Sequence, residues 1–287
     1  MGGEAGYADE METAVFAATE GGRVVRDLYD RAAAATYQKA DGSPVTDADL
    51  ASDRVIRGIL SERFPEDAIL TEEGVDEPSR REARRCWIVD PIDGTDQFVR
   101  RTGDFDVLVA LVVDGEPVAA AGYQPAAGVL CAAAVGGGAW TRRDGGELAE
   151  ARLAPVKAGA APRLATSVWF GAPANLAAVT RVAERLGAAS PETDETGFSP
   201  RIFLPGRRCD AMLGLRTGPD QTMAWEWDFA VSDLFIREAG GVVSNLWGGR
   251  HRYNKAWPRN EGGLVAAADP ATHAALLDAL RPELPIA

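Results

Sequence analysis

The chain is 287 residues long, and its 43 acidic against 30 basic side chains leave a formal net charge of −13 at pH 7 with the histidines neutral. An apolar fraction of 46% with 25% charged residues excludes wholesale disorder, and the length allows one large domain or two modest ones. Such acidity excludes a nucleic-acid polymer or an anionic membrane held by surface charge alone, so any phosphate-bearing partner needs positive charge supplied locally.

The spacing predicts a first helix over about Asp9 to Arg31, an Ala-rich stretch, and a polar loop from Gln38 to Pro44. A second helix starts at Thr46, a good N-cap, with Asp47 and Asp49 in its first turn and Ile56, Ile59, Leu60 and Phe64 on one apolar face. Short strands follow at Ala68 to Thr71 and Cys86 to Val89, separated by a charged, Pro-containing loop from Glu77 to Arg85. Apolar runs at Val107 to Val113, Pro117 to Tyr123 and Gly128 to Ala134 read as sheet. The Asp114-Gly115 turn between the first two is a hairpin signal, so part of the sheet is antiparallel. Composition shifts to Gly, Ala, Arg and Pro over Gly136 to Pro162, which divides an N-terminal unit, residues 1–150, from a C-terminal one, residues 151–287. The second unit alternates as α/β: a strand near Leu164 to Phe170, a helix from about Ala174 to Leu186, a polar loop from Ser190 to Pro200, and a strand near Ala211 to Leu215. Trp227, Ala230, Val231, Leu234 and Phe235 mark the buried face of a further helix closed by Gly240-Gly241, and a last helix is capped by Asp269 with Pro270 at its first position.

Cys86, Cys131 and Cys209 fit neither a disulfide framework nor a C-x-x-C zinc site. His251 and His273 stand in no motif with a nucleophile. The N-terminus shows no secretory signal or acylation motif, and the run Val107 to Val113 is far too short to span a bilayer. The expectation is a soluble cytoplasmic protein.

The densest chemical cluster is Trp87-Ile88-Val89-Asp90-Pro91-Ile92-Asp93-Gly94-Thr95-Asp96, an apolar strand running into two carboxylates and a Gly-Thr turn. A strand end is a rigid mount for ligands, and the Gly94 and Thr95 amides point outward as an anion site if a helix begins there. Taken alone, the same residues read equally as an Asp-capped turn. Leu70-Thr71-Glu72-Glu73-Gly74 is a second strand end with carboxylates, and Trp225-Glu226-Trp227-Asp228 a third cluster, with Asp228 in the first turn of an apolar helix. Either could be a solvated edge or a helix cap. Together they fit a hard-metal site, oxygen donors without Cys or His, as Mg²⁺ prefers. Asp-Gly-Thr also closes the motif of aspartyl-nucleophile phosphatases of the haloacid-dehalogenase type, but Pro91 stands where their nucleophile belongs, which excludes that mechanism here. Asp47-Ala48-Asp49 and Asp104-Phe105-Asp106 leave a sugar-nucleotide D-x-D site as a weaker alternative, and a scaffold protein without turnover as another.

Asp90-Pro91-Ile92-Asp93-Gly94-Thr95, the upstream Glu72-Glu73, and Trp227-Asp228 followed by Glu238-Ala239-Gly240-Gly241 resemble the inositol monophosphatase superfamily of Mg²⁺-dependent, lithium-sensitive phosphatases, over roughly Lys39 to Ala267. The stretches Lys39 to Asp49 and Asp93 to Phe105, with Glu226 before Trp227-Asp228, are most similar to its branch of 3'(2'),5'-bisphosphate nucleotidases. The resemblance implies a layered α-β-α-β-α sandwich with the site between two subdomains. It implies that Glu72, Asp90 and the Ile92 carbonyl bind one Mg²⁺ and that Asp90, Asp93 and Asp228 bind a second, with two or three ions in all and inhibition by Li⁺ and Ca²⁺. Thr95, oriented by Asp49 and assisted by Glu73, would position the attacking water, and the Gly94 and Thr95 amides would hold phosphate. Asp96-Gln97 replaces the Lys-Glu of the nearest pattern, and Thr166, Ser199, Arg201 and Arg216 are candidates for substrate contacts. The expected substrate is a small phosphate ester, foremost adenosine 3',5'-bisphosphate; inositol 1-phosphate, histidinol phosphate and an intermediate of a specialised pathway are the alternatives. No nucleic-acid polymer or membrane partner is expected, and a homodimer is left open.

Overall fold

The apolar runs through residues 105–134 become the centre of a seven-stranded sheet, flanked in the computed structural model by helices on both faces. The structure describes residues 6–39, 42–170, 173–194, 197–204, 206, 209–215 and 224–284. In chain order the elements are α1 (Ala8–Arg31), β1 (Thr36–Gln38), β2 (Pro44–Thr46), α2 (Asp47–Arg63), β3 (Ala68–Thr71), β4 (Arg85–Asp93), α3 (Thr95–Val99), β5 (Asp106–Val113), β6 (Glu116–Gln124), β7 (Val129–Ala134), β8 (Gly138–Arg143) and β9 (Ala149–Ala151). They continue with β10 (Leu164–Ser167), α4 (Pro173–Arg185), β11 (Glu192–Asp194), β12 (Ala211–Gly214), α5 (Ala230–Glu238), β13 (Val242–Ser244), β14 (Leu264–Ala267) and α6 (Pro270–Leu280).

The first sheet runs β3-β4-β5-β6-β7-β8-β9, with β3 parallel to β4 and every later pair antiparallel. In β5, Val107, Val109 and Leu111 face α1 and α2, while Leu108, Ala110 and Val112 face α5. A sheet covered on both faces explains why this strand reads as an unbroken apolar run. The second sheet runs β11-β10-β12-β14-β13, parallel through its first three strands and antiparallel in the rest. Its inner face meets α5 through Met212, Val243, Leu264 and Ala266, and its outer face is covered by α4 and α6 through Val179, Val182, Leu276 and Leu280. The layers are therefore helix pair, sheet, α5, sheet, helix pair, the sandwich expected. Because α5 is shared by both sheets, the N- and C-terminal halves meet in one core.

Close approach sets the first layer. A Cβ on Gly22 would sit 2.4 Å from Tyr123 Cδ1, so glycine there lets α1 lie against β6. Several segments read as loop carry strands: β1 and β2 form a hairpin within 36–46, β8 and β9 extend the first sheet into the Gly- and Arg-rich stretch, and β11 lies in the polar loop after α4. All but β8 are only three residues long. Their pairing is fixed by neighbouring strands and not by any local pattern. Asp228 lies in the turn that precedes α5, because the helix begins at Ala230, later than the periodicity predicts. Among the described residues no helix is long and apolar enough to cross a membrane.

Candidate active site

The parallel pair β3 and β4 brings two of the acidic clusters side by side, since Thr71 pairs with Val89 and both strands end at the same edge. Beyond Asp90 the register of β4 against β5 shifts, and the chain kinks through Pro91 and Ile92 before pairing resumes at Asp93. The Asp90 side chain folds back to accept the Ile92 amide at 3.0 Å, which fixes one carboxylate oxygen and leaves the other for a ligand. Gly94 follows at φ 93, where a Cβ would also come within 3.1 Å of the Asp104 carbonyl, so the turn into α3 needs glycine.

The turn before α5 adds the third carboxylate. Asp228 Oδ2 accepts the Trp225 amide at 2.7 Å, which bends the chain so that Asp228 faces the strand ends. One oxygen from each of Asp90, Asp93 and Asp228 lies within 4.8 Å of the others. Burial pushes the Asp90 and Asp93 carboxyls well above the usual range, and the surrounding carboxylates push them further. Asp228 is raised to about 7, by burial first and the charge of Glu72 second. Three converging carboxylates with no cation among them are a costly arrangement, and a donor set of oxygen alone suits a hard divalent cation.

Glu72 stands beside this trio. Its carboxylate is bound by Lys39 Nζ at 2.7 Å, and the same ammonium holds Glu73 at 2.6 Å. Burial pulls the Lys39 ammonium down, but its two carboxylate partners outweigh that and hold it above its ordinary value. Burial raises Glu73 to about 7. On the other side, Thr46 and Asp49 form a reciprocal capping box at the start of α2, with Asp49 Oδ2 accepting the Thr46 amide at 2.8 Å and its hydroxyl at 2.5 Å. That leaves Asp49 Oδ1 to accept the Thr95 hydroxyl at 3.0 Å, an interaction spanning 46 residues of sequence. The Ile92 carbonyl also lies 3.2 Å from the Thr95 hydroxyl.

Lys39, Glu72, Asp90, Ile92, Asp93, Thr95 and Asp228 line one cleft of about 430 Å³, together with Gly94, Asp96, Ser167 and an aromatic wall that includes Trp169, Phe198, Trp225 and Trp227, while Asp49 and Glu73 stand behind its lining. Three residues expected to touch substrate do not line it. The Thr166 hydroxyl is buried and donates to the Leu213 carbonyl at 2.8 Å; Ser199 is buried at the start of a single 3-10 turn, Pro200–Phe203. Arg201 crosses to the first sheet and pairs with Asp104 at 3.2 Å and Asp106 at 3.1 Å, its charge lowering the neighbouring Asp93. Arg216 lies outside the described residues. Of the divergent pair, Asp96 lines the cleft, and Gln97 is buried, accepting the Thr102 hydroxyl at 2.8 Å.

Arg259 escaped the sequence motifs, and Glu226, noted there beside Trp227-Asp228, does not line the cleft. Arg259 lines the cleft. Glu226 is fully buried and turned away from the cleft, where it accepts the Asn254 amide at 2.6 Å and the Lys255 ammonium at 2.6 Å. This clamp anchors the loop that carries Trp257 and Arg259. Glu226→Ala strands those donors and is expected to cost about 3 kcal/mol of stability, read by denaturant unfolding; a change below about 0.5 kcal/mol would contradict the clamp.

Comparison with known proteins accords with this geometry. A 3'(2'),5'-bisphosphate nucleotidase CysQ of Aggregatibacter actinomycetemcomitans is 32% identical over 249 residues, covering 85% of this chain and 87% of that one. Nus factor SuhB of Escherichia coli is 29% identical over 284 residues and 96% of both chains. The solved structure of an inositol monophosphatase from Zymomonas mobilis superposes with a TM-score of 0.75 at 26% identity, over 97% of this chain and 100% of that one. With residues 8–200 matched by the family model, the chain belongs to the inositol monophosphatase family, whose members are phosphatases and are generally metal-dependent.

Proposed function

We propose that the protein is a Mg²⁺-dependent phosphomonoesterase whose preferred substrate is a nucleotide of the adenosine 3',5'-bisphosphate type. The observation that carries this reading is the converging trio Asp90, Asp93 and Asp228, which lines one cleft with Thr95, itself held by Asp49. Glu72, Asp90 and the Ile92 carbonyl would hold one cation, and Asp90, Asp93 and Asp228 a second. Bound Mg²⁺ supplies neutralising charge to the phosphate and acidity to water. The protein's own groups do the rest. Asp49 Oδ1 holds the Thr95 hydroxyl proton, which turns the Thr95 oxygen lone pairs toward the cleft, where they orient an attacking water. The Gly94 and Thr95 amides, at the kinked end of β4, would hold phosphate oxygens. Glu73, on the Lys39 ammonium, is the nearby group to take part in proton transfer. Li⁺ and Ca²⁺ are expected to inhibit by competing for the same oxygens.

The aromatic wall supports a nucleotide over a polyol, because flat rings stack on a base, whereas a cyclitol is recognised by hydrogen bonds. A protein without turnover would gain nothing from three carboxylates whose repulsion opposes folding. A phosphate-release panel with Mg²⁺ tests the substrate: adenosine 3',5'-bisphosphate, inositol 1-phosphate, histidinol phosphate, fructose 1,6-bisphosphate and nucleoside 5'-monophosphates. The bisphosphate is expected to show the highest kcat/KM, roughly tenfold or more above inositol 1-phosphate, the scale of a stacked base or one charged contact. A faster reaction with inositol 1-phosphate would overturn the nucleotide assignment.

A further inference from the structure

The carboxylates of the site come from both halves of the chain, and one loop ties those halves together behind them. Asp90 and Asp93 stand on β4 of the first sheet, whereas Asp228 arrives from the second half on the turn before α5. The loop of residues 252–260, between β13 and β14, is bonded to both.

Toward the first half, the Tyr253 amide donates to the Gly115 carbonyl at 3.1 Å, in the hairpin turn between β5 and β6. Asn254 exchanges two bonds with Arg80: its Oδ1 accepts from Arg80 Nη1 at 2.7 Å, and its Nδ2 donates to the Arg80 carbonyl at 2.9 Å. The Arg80 side chain is 1% exposed, and Asp76 holds it at the same time through Nε at 2.5 Å and Nη2 at 3.0 Å. A buried guanidinium gripped by two partners in its own plane is a fixed post for the loop.

Toward the second half, the same loop grips the segment that precedes Asp228. Asn254, at φ 59, turns its own amide and that of Lys255 onto the Glu226 carboxylate, at 2.6 and 3.2 Å. Glu226 donates its amide to the Pro258 carbonyl at 3.0 Å, and Asn260 donates to Ala224 at 3.0 Å. Between them stands Trp225, whose amide Asp228 Oδ2 accepts at 2.7 Å. An unbroken path of hydrogen bonds and short backbone therefore runs from Arg80 through Asn254 and Glu226 to Asp228.

Resting on the reading of Asp90, Asp93 and Asp228 as a cation site, we propose that Asn254 is a positioning residue for it. Docked on Arg80, Asn254 fixes Asp228 against the two β4 carboxylates and thereby sets the affinity for the divalent cation. Three like charges spread apart unless the chain behind them is held, and a cation that demands near-ideal oxygen geometry binds less well once one ligand drifts.

Asn254→Gly tests this, because glycine keeps the positive φ and removes both side-chain bonds to Arg80. The readouts are the rise in Tm that Mg²⁺ alone produces and the Mg²⁺ concentration that half-saturates phosphate release from adenosine 3',5'-bisphosphate. In the variant that concentration is expected to rise roughly tenfold, the low end for groups that hold a metal ligand from behind. The Mg²⁺ increment in Tm is expected to shrink accordingly, while kcat at saturating Mg²⁺ changes little. Arg80→Lys keeps a buried cation on Asp76 without the fork that also reaches Asn254, so it is expected to weaken Mg²⁺ in the same sense and decides the matter should the glycine variant not fold. Equal losses of Tm in EDTA and in Mg²⁺, with the half-saturating concentration unchanged, would overturn the proposal and leave Asn254 a purely structural residue. A wild-type chain whose Tm does not respond to Mg²⁺ would instead overturn the cation reading itself, and the proposal with it.

Discussion

Asp93→Asn is expected to lower phosphate release on the order of a thousandfold while making the metal-free protein more stable. The two effects share one cause. Asp93 is pushed well above the ordinary carboxylate range by burial and then by the charges of Asp228, Asp106 and Glu72, so its ionised form is held in the fold at a cost. Asparagine keeps the shape and removes the charge. Without metal the variant should melt a few degrees above the wild type, since about 1 kcal/mol corresponds to roughly 2–4 °C for a chain of this size. With Mg²⁺ the order should reverse, because the wild type regains more on binding. A residue with a merely structural role would lose stability in both conditions. Normal turnover by Asp93→Asn at saturating Mg²⁺ would sink the assignment of Asp93 as a ligand.

Stripping the metal should also make stability depend on pH in a defined direction. Asp228 in the folded chain is raised to about 7, and Asp90 and Asp93 are raised as well. A carboxyl whose folded pKa exceeds its unfolded value contributes stability that is complete below the unfolded pKa and is lost as pH rises through the folded one. The metal-free protein is therefore expected to lose a few kcal/mol between about pH 4 and about pH 8 from this cluster. A divalent cation binds the ionised carboxylates, so the rise in Tm that Mg²⁺ produces should grow across the same window. Melting curves with EDTA and with Mg²⁺ over that range measure both. A Mg²⁺ increment that shrinks as pH rises would contradict the arrangement of charges.

Much of the fold was legible because local and global signals agree. The Thr46 cap, the Asp114-Gly115 hairpin turn, and Asp269 with Pro270 at the start of α6 each formed as their side chains dictate. The acidic clusters were legible as motifs, and β3 lying parallel to β4 makes neighbours of two of them. What was hidden depends on contacts distant in sequence. The three exposed residues of β1 show no alternation, so only their pairing with β2 makes them a strand. Arg201 reads as a candidate substrate contact, yet it is committed to Asp104 and Asp106 across the interface between the two halves. Glu226 reads as one more acidic residue beside Asp228, and only the loop at Asn254 and Lys255 shows why it points inward. Arg259 carries no motif, since a bridge to Trp225 that no local pattern announces brings it to the cleft.

If Asp90, Asp93 and Asp228 form a cation site that enables phosphate-ester hydrolysis in this cleft, turnover requires the cation. Phosphate release from adenosine 3',5'-bisphosphate by the wild-type chain, measured first in EDTA and then after adding Mg²⁺, tests it most directly. Release that is absent in EDTA and restored by Mg²⁺ is the expected result. Equal release in EDTA and in Mg²⁺ would contradict it.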